Sequence, residues 1–255
     1  MNQKARWIKH ISIIVLYIMA QLIVLPVALV YMIMNQGQVD EEAVTRISLI
    51  ANIIGFVIAL IIIGILFIKI KAPFDFELKY RQPWLVSLGW LVFGVVFAYI
   101  TQIITSIINT QVLKNPMQSE NTMEIMEIAF QYPFFILIVA ILGPILEELV
   151  FRKVLFGEIF NALKINKYVA FTIAFLISGF IFAIAHMDFT HIIIYLGMSF
   201  VFSLIYVMTG RIIVPIIAHA LMNTIVVILQ FTFKDTIKDL EQFQELSNLI
   251  FYFFI

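Results

Sequence analysis

The sequence predicts an all-α fold: a polytopic transmembrane helical bundle of about seven spans with a partial eighth at the C-terminal end. Composition is the first observation behind this, since 63% of the 255 residues are hydrophobic, 13% are charged and the mean hydropathy is +1.05. A soluble domain is about half apolar and a quarter charged. The second is run length. Stretches such as Ile47–Ile68 exceed the roughly 18 apolar positions that mark a spanning helix. The third is polar punctuation, which cuts the chain into segments near 8–34, 47–70, 83–112, 133–160, 167–187, 190–209 and 211–231.

Ile8–Met34 is too long for the core of a signal peptide and no small-residue cleavage pattern follows it, so it is expected to remain as the first span. Spans two and three follow at 47–70 and 83–112, and the connecting stretches Lys69–Gln82 and Lys114–Tyr132 mix apolar with charged residues as interfacial helices do. Span four carries Gly143-Pro144, where the missing proline N–H is expected to bend the helix. Spans five to seven are joined by short turns. The tail from Thr232 is polar and ends in Leu249–Ile255, which is too short to cross and suits the interface or a partial eighth span. With no linker, repeat or low-complexity tract, residues 1–255 read as one membrane domain.

Basic residues set the expected orientation, because short loops rich in Lys and Arg stay in the cytoplasm. Lys4, Arg6, Lys9, Lys69, Lys71, Lys79, Arg81, Arg152, Lys153, Lys164, Lys167 and Arg211 fall on one side, twelve of the 16 in the chain. The N-terminus is therefore expected in the cytoplasm and the protein in the cell membrane. Zero net charge and the lack of a long basic run speak against nucleic-acid binding. The absence of Cys removes disulfides and thiolate chemistry.

Ionisable groups inside hydrocarbon are expensive, so the few present in the spans are the candidates for chemistry. Span four holds Glu147, Glu148 and Arg152; span five ends in Phe182 and His186; span seven contains His219 and Asn223. Glu148 and Arg152, four apart, share a helix stripe, while Glu147 points about 100° away and is expected to lack a local counter-charge. An unpaired carboxylate in a low-dielectric site suits a base that takes a proton from water. Helix rise puts Glu147 and His186 at similar depth, about 27 and 32 Å from the turn between them. The same arithmetic leaves His219 more than roughly 10 Å from the level of His186, unless a tilt, a bend at Pro215 or a dip of the 187–191 turn corrects it. Taken singly, a buried Glu–Arg pair, a membrane histidine or one Asn is as well explained by packing. Their conjunction in spans four, five and seven points to a site. Spans one to three add nothing comparable.

Glu147-Glu148-x-x-x-Arg152, Phe182-x-x-x-His186 and His219-x-x-x-Asn223, in that order on successive helices, resemble the CPBP family of CAAX-protease and bacteriocin-processing intramembrane peptidases, also called Abi proteins. The resemblance covers about 133–231. It implies that Glu147 and His186 activate water for attack on a peptide carbonyl, that His219 and Asn223 line the site and stabilise the oxyanion, and that Glu148, Arg152 and Phe182 support them. Gly143–His186 looks closest to staphylococcal members that serve quorum sensing by helping to process an autoinducing-peptide precursor. That implies a peptide or small-protein substrate, such as a pheromone precursor, bacteriocin or leader sequence. No cofactor is required by this reading; the alternative is zinc held by Glu147, His186 and His219, a two-His, one-carboxylate set. His-Glu-x-x-His is absent, and no Asp lies within a span. The same residues also fit a catalytically silent scaffold or immunity protein, and less well an ion-coupled transporter, for which inverted repeats are missing.

Overall fold

A computed structural model describes residues 3–37, 40–71 and 73–233, so the expected interfacial ending at 249–255 lies outside the described residues. Seven helices or helix series are long and apolar enough to cross a membrane, and among the described residues there is no strand. The first span comprises α1 (Gln3–Leu22) and α2 (Val24–Met34), with the break at Ile23. Pro26 explains it, having no N–H for the carbonyl of Leu22. The second span, α3 (Glu41–Lys69), starts at Asp40, whose carboxylate accepts from the Ala43 N–H, with Glu41 and Glu42 against the positive helix end. A short α4 (Asp75–Lys79) leads to α5 (Trp84–Ile107), which runs on as a π-helical turn over Ile108–Val112.

The expected helix in 114–132 is α6 (Glu120–Gln131), capped by Ser119, whose hydroxyl accepts from the Thr122 N–H. Span four, Pro133–Ala162, is a relay of forms: π over Ile138–Leu142, α7 (Gly143–Glu147), π again over Glu148–Phe156, then α8 (Gly157–Ala162). After it come α9 (Lys167–Ala185), α10 (Ile192–Thr209) and α11 (Ile213–Thr232). Of the seven spans, the fourth is the most enclosed, with 56% of its apolar window buried against 17% for the first and third. Polar groups sheltered from lipid therefore concentrate around it. Gly210 ends α10 in the left-handed conformation (φ 62°), and a Cβ there would stand 2.7 Å from the Glu77 carbonyl oxygen, so the turn into α11 needs glycine.

Two expectations are refined. The 69–82 stretch does more than lie at a surface: Phe74, Phe76 and Glu77 are buried in the end of the bundle, while Leu78 is exposed. Lys153 and the Tyr206 hydroxyl meet the Glu77 carboxylate, which also accepts from the Phe74 N–H. Lys9, Arg152 and Lys153, counted above among the basic residues of one side, are buried, and each has a partner inside the protein.

Candidate active site

Span four sets the site's geometry through its proline. In the first π segment the Gly143 N–H reaches back to Ile138 O, so Val139 O would next require an N–H from residue 144, which is Pro144. Asn223 supplies the donor instead, its Nδ2 lying 2.9 Å from Val139 O. One amide hydrogen of Asn223 thus holds α11 against span four. The same contact brings His219, one turn earlier on α11, to the paired glutamates.

His219 lies between them. Its Nδ1 is 2.9 Å from Glu148 Oε1, and its Nε2 is 3.7 Å from Glu147 Oε2. Glu148 also faces Arg152 Nη1 at 3.2 Å, as the four-residue spacing predicted, and both side chains are fully buried. Arg152 meets no hydrogen-bond acceptor among the described residues. Its guanidinium instead lies over Phe182 at 4.4 Å and Phe202 at 5.3 Å, faces that favour a desolvated cation. Phe202 in turn stacks on His219 with ring centroids 4.9 Å apart. Two carboxylates, one guanidinium and one imidazole are thereby fixed in one aromatic frame.

His186 is oriented by its own helix. Nδ1 donates to Phe182 O at 2.8 Å, and because a carbonyl only accepts, Nε2 carries the free lone pair. The ring is held between Phe182, at 4.5 Å, and Tyr195, at 4.4 Å. With Nδ1 of His219 likewise engaged, each histidine keeps Nε2 for other chemistry. Glu147, His186, His219 and Asn223 all line one cavity of about 630 Å³. Glu147 retains 15% of its side-chain exposure there, whereas Glu148 has none.

The expectation that Glu147 lacks a partner is corrected: His219 Nε2 faces it, beyond hydrogen-bond length. The depth mismatch expected for His219 is not seen, since His186 and His219 line the same cavity, and in the turn between α9 and α10 Asp188 and His191 are buried. Burial would raise the Asp188 carboxyl, but hydrogen bonds from Ser119, His191 and Thr190 prevail and hold it below the usual aspartate value. This cluster ties the start of α6 to the turn after α9. The cavity is also wider than spans four, five and seven: Tyr17 and Gln21 of α1, Asn52 of α3 and Gln102 of α5 line it too. No sequence spacing signalled these residues, which lie far apart in the chain. Among the described residues no three His, Cys, Asp or Glu side chains converge closely enough to hold a metal ion, so the zinc set does not fit the arrangement as it stands.

Comparison with known proteins adds the lineage. The chain is 39% identical over 249 residues to the membrane-embedded CAAX protease MroQ of Staphylococcus aureus (strain USA300), covering 98% of each chain. The chain belongs to the CAAX protease family. A family model described as type II CAAX prenyl endopeptidase Rce1-like matches residues 129–225, the part of this CAAX protease that contains every candidate residue above. The putative membrane peptidase YdiL of Bacillus subtilis (strain 168) is 34% identical over 194 residues, 76% of this chain and 77% of its own. The protein YxdF of Lactococcus lactis (strain IL1403) is 31% identical over 139 residues, 52% of this chain and 72% of its own. No solved structure matches this CAAX protease. As a multi-pass membrane protein of a peptidase family, it is a membrane protease.

Proposed function

We propose that the chain is an intramembrane endopeptidase whose core, residues 133–231, cleaves a peptide or leader and pheromone precursor at the cavity beside Glu147. The observation that carries this is the solvent-reachable Glu147 carboxylate lining a cavity with two histidines whose Nδ1 atoms are already engaged. Glu147 takes a proton from a water molecule held also by His186 Nε2, and the water oxygen bonds to the carbonyl carbon of the substrate. The second Asn223 amide hydrogen favours the oxyanion that forms, and His219 does so in its protonated form, in which Nε2 also carries a hydrogen. The proton then passes to the amide nitrogen, the C–N bond breaks, and acid and amine leave. Glu148, Arg152 and Phe182 position His219 and His186. The excess of Lys and Arg in the loops of one side supports an N-terminus in the cytoplasm.

The identity to a staphylococcal CAAX protease supports an autoinducing-peptide precursor as the substrate to try first. Purified protein would be given quenched peptides, and cells would be assayed for mature pheromone. Loss of cleavage in Glu147→Gln and His186→Ala is the expected result; retained cleavage in both overturns the assignment of these residues, and no cleavage by the unaltered chain leaves a scaffold. Metal analysis with chelator treatment checks the chemistry. Activity should survive chelation, and one zinc per chain with chelator-sensitive cleavage would replace water activation by Glu147 with metal-dependent hydrolysis.

A further inference from the structure

The cavity has a chemical bias that the candidate catalytic residues do not explain. Of its lining side chains only Glu147 carries a formal charge at neutral pH with the histidines neutral, and no Lys or Arg is among them. Arg152, the nearest cation in sequence, is sealed behind Phe182 and Phe202. An acidic group entering this space would lose its hydration, meet no cation and face a carboxylate. A basic group would meet Glu147.

Five carboxamides share that lining: Gln21, Asn52, Gln102, Asn121 and Asn223, each contributed by a different helix. Four are anchored through one N–H. Gln21 donates to the Tyr17 hydroxyl at 3.2 Å, Asn52 to Ala20 O at 2.9 Å, Asn121 to the Tyr195 hydroxyl at 3.4 Å and Asn223 to Val139 O at 2.9 Å. Gln102 has no side-chain partner among the described residues. An anchored carboxamide still holds one N–H donor and one C=O acceptor, the same pair that a peptide unit offers. A substrate segment unwound for cleavage exposes unpaired main-chain N–H and C=O groups, each costly away from water, and among the described residues there is no strand edge to receive them.

We propose that the cavity binds an extended peptide segment through these carboxamides, and that the residues next to the cleaved bond are apolar or basic, with Asp and Glu rejected. This rests on the peptidase reading only in naming the bound segment a substrate. The probes are three labelled apolar nonapeptides that differ only in the central residue, Leu, Lys or Asp. Binding is read by fluorescence anisotropy on His186→Ala protein, which keeps Glu147, and cleavage is read on the unaltered chain. The Asp peptide should bind at least about tenfold more weakly than the other two. Gln102→Leu, with unchanged melting temperature, should weaken the Leu peptide by about threefold or more. Equal binding of Asp and Lys peptides, no binding of any peptide, or displacement of all three alike by oleate would overturn the proposal. Cleavage without discrimination would remove this inference and leave the peptidase; discrimination in binding without cleavage would do the reverse.

Discussion

Two buried clusters in this protein share a composition and differ in what they leave open. At the end of the bundle, Glu77, Glu158, Lys153, Arg6 and His10 join the 70–80 segment, α1 and span four. Both Glu77 oxygens are filled, by Tyr206 at 2.7 Å and by Lys153 and the Phe74 N–H, while Glu158 takes Arg6 and His10. Near the middle, Glu147, Glu148, Arg152 and His219 bring the same kinds of group together. There the Glu147 carboxylate stands 3.7 Å from His219 Nε2, and it lines a cavity. A filled carboxylate stabilises a fold; one held just out of bonding distance beside an open volume can work on something else. Counting buried charges would not separate the two clusters. Comparing Glu77, with both oxygens engaged, to Glu147, with a cavity beside it, does.

The contrast breaks most visibly at Glu147. Glu147→Gln keeps the shape and removes the base, so cleavage should fall by about 10²–10⁴-fold with the melting temperature in detergent unchanged. The matching change at the closed cluster, Glu77→Gln, leaves the Lys153 ammonium buried and unpaired. It should cost about 3–5 kcal/mol in chemical denaturation while cleavage per folded molecule stays as it was. If Glu77→Gln silenced a folded protein and Glu147→Gln did not, the assignment of the two clusters would be reversed.

Phe182→Leu sharpens the comparison within the open cluster by removing one of the two rings over Arg152. A loss of about 2 kcal/mol is expected from a desolvated cation–π contact, measured by thermal unfolding, with Leu chosen to limit the cavity left behind. The smallest effect belongs to the Ser119–Asp188 latch. Because the folded Asp188 carboxyl titrates below its ordinary 3.8, its stabilisation is complete above that value and is lost as pH falls through the lower folded one. Hydrogen exchange in α6 should therefore speed up, beyond its intrinsic pH dependence, as pH falls below about 4, and Asp188→Asn should abolish that extra change.

The seven spans were legible because hydrocarbon imposes a length and a composition that single residues cannot disguise. The Glu148–Arg152 pair was legible too, since four residues along a helix return to the same face whether the turn is α or slightly wider. The position of His219 was not. Helix rise alone set it too far from His186, whereas in the packed bundle the Asn223 bridge to the carbonyl freed by Pro144 accompanies its position between Glu147 and Glu148. The cavity wall from α1, α3 and α5 was equally hidden, for Gln21, Asn52 and Gln102 carry no shared spacing. Local periodicity and the cost of charge in lipid act along the chain and so can be read from sequence. Which polar groups meet is decided by helix contacts between distant segments, and those exist only once the bundle is packed.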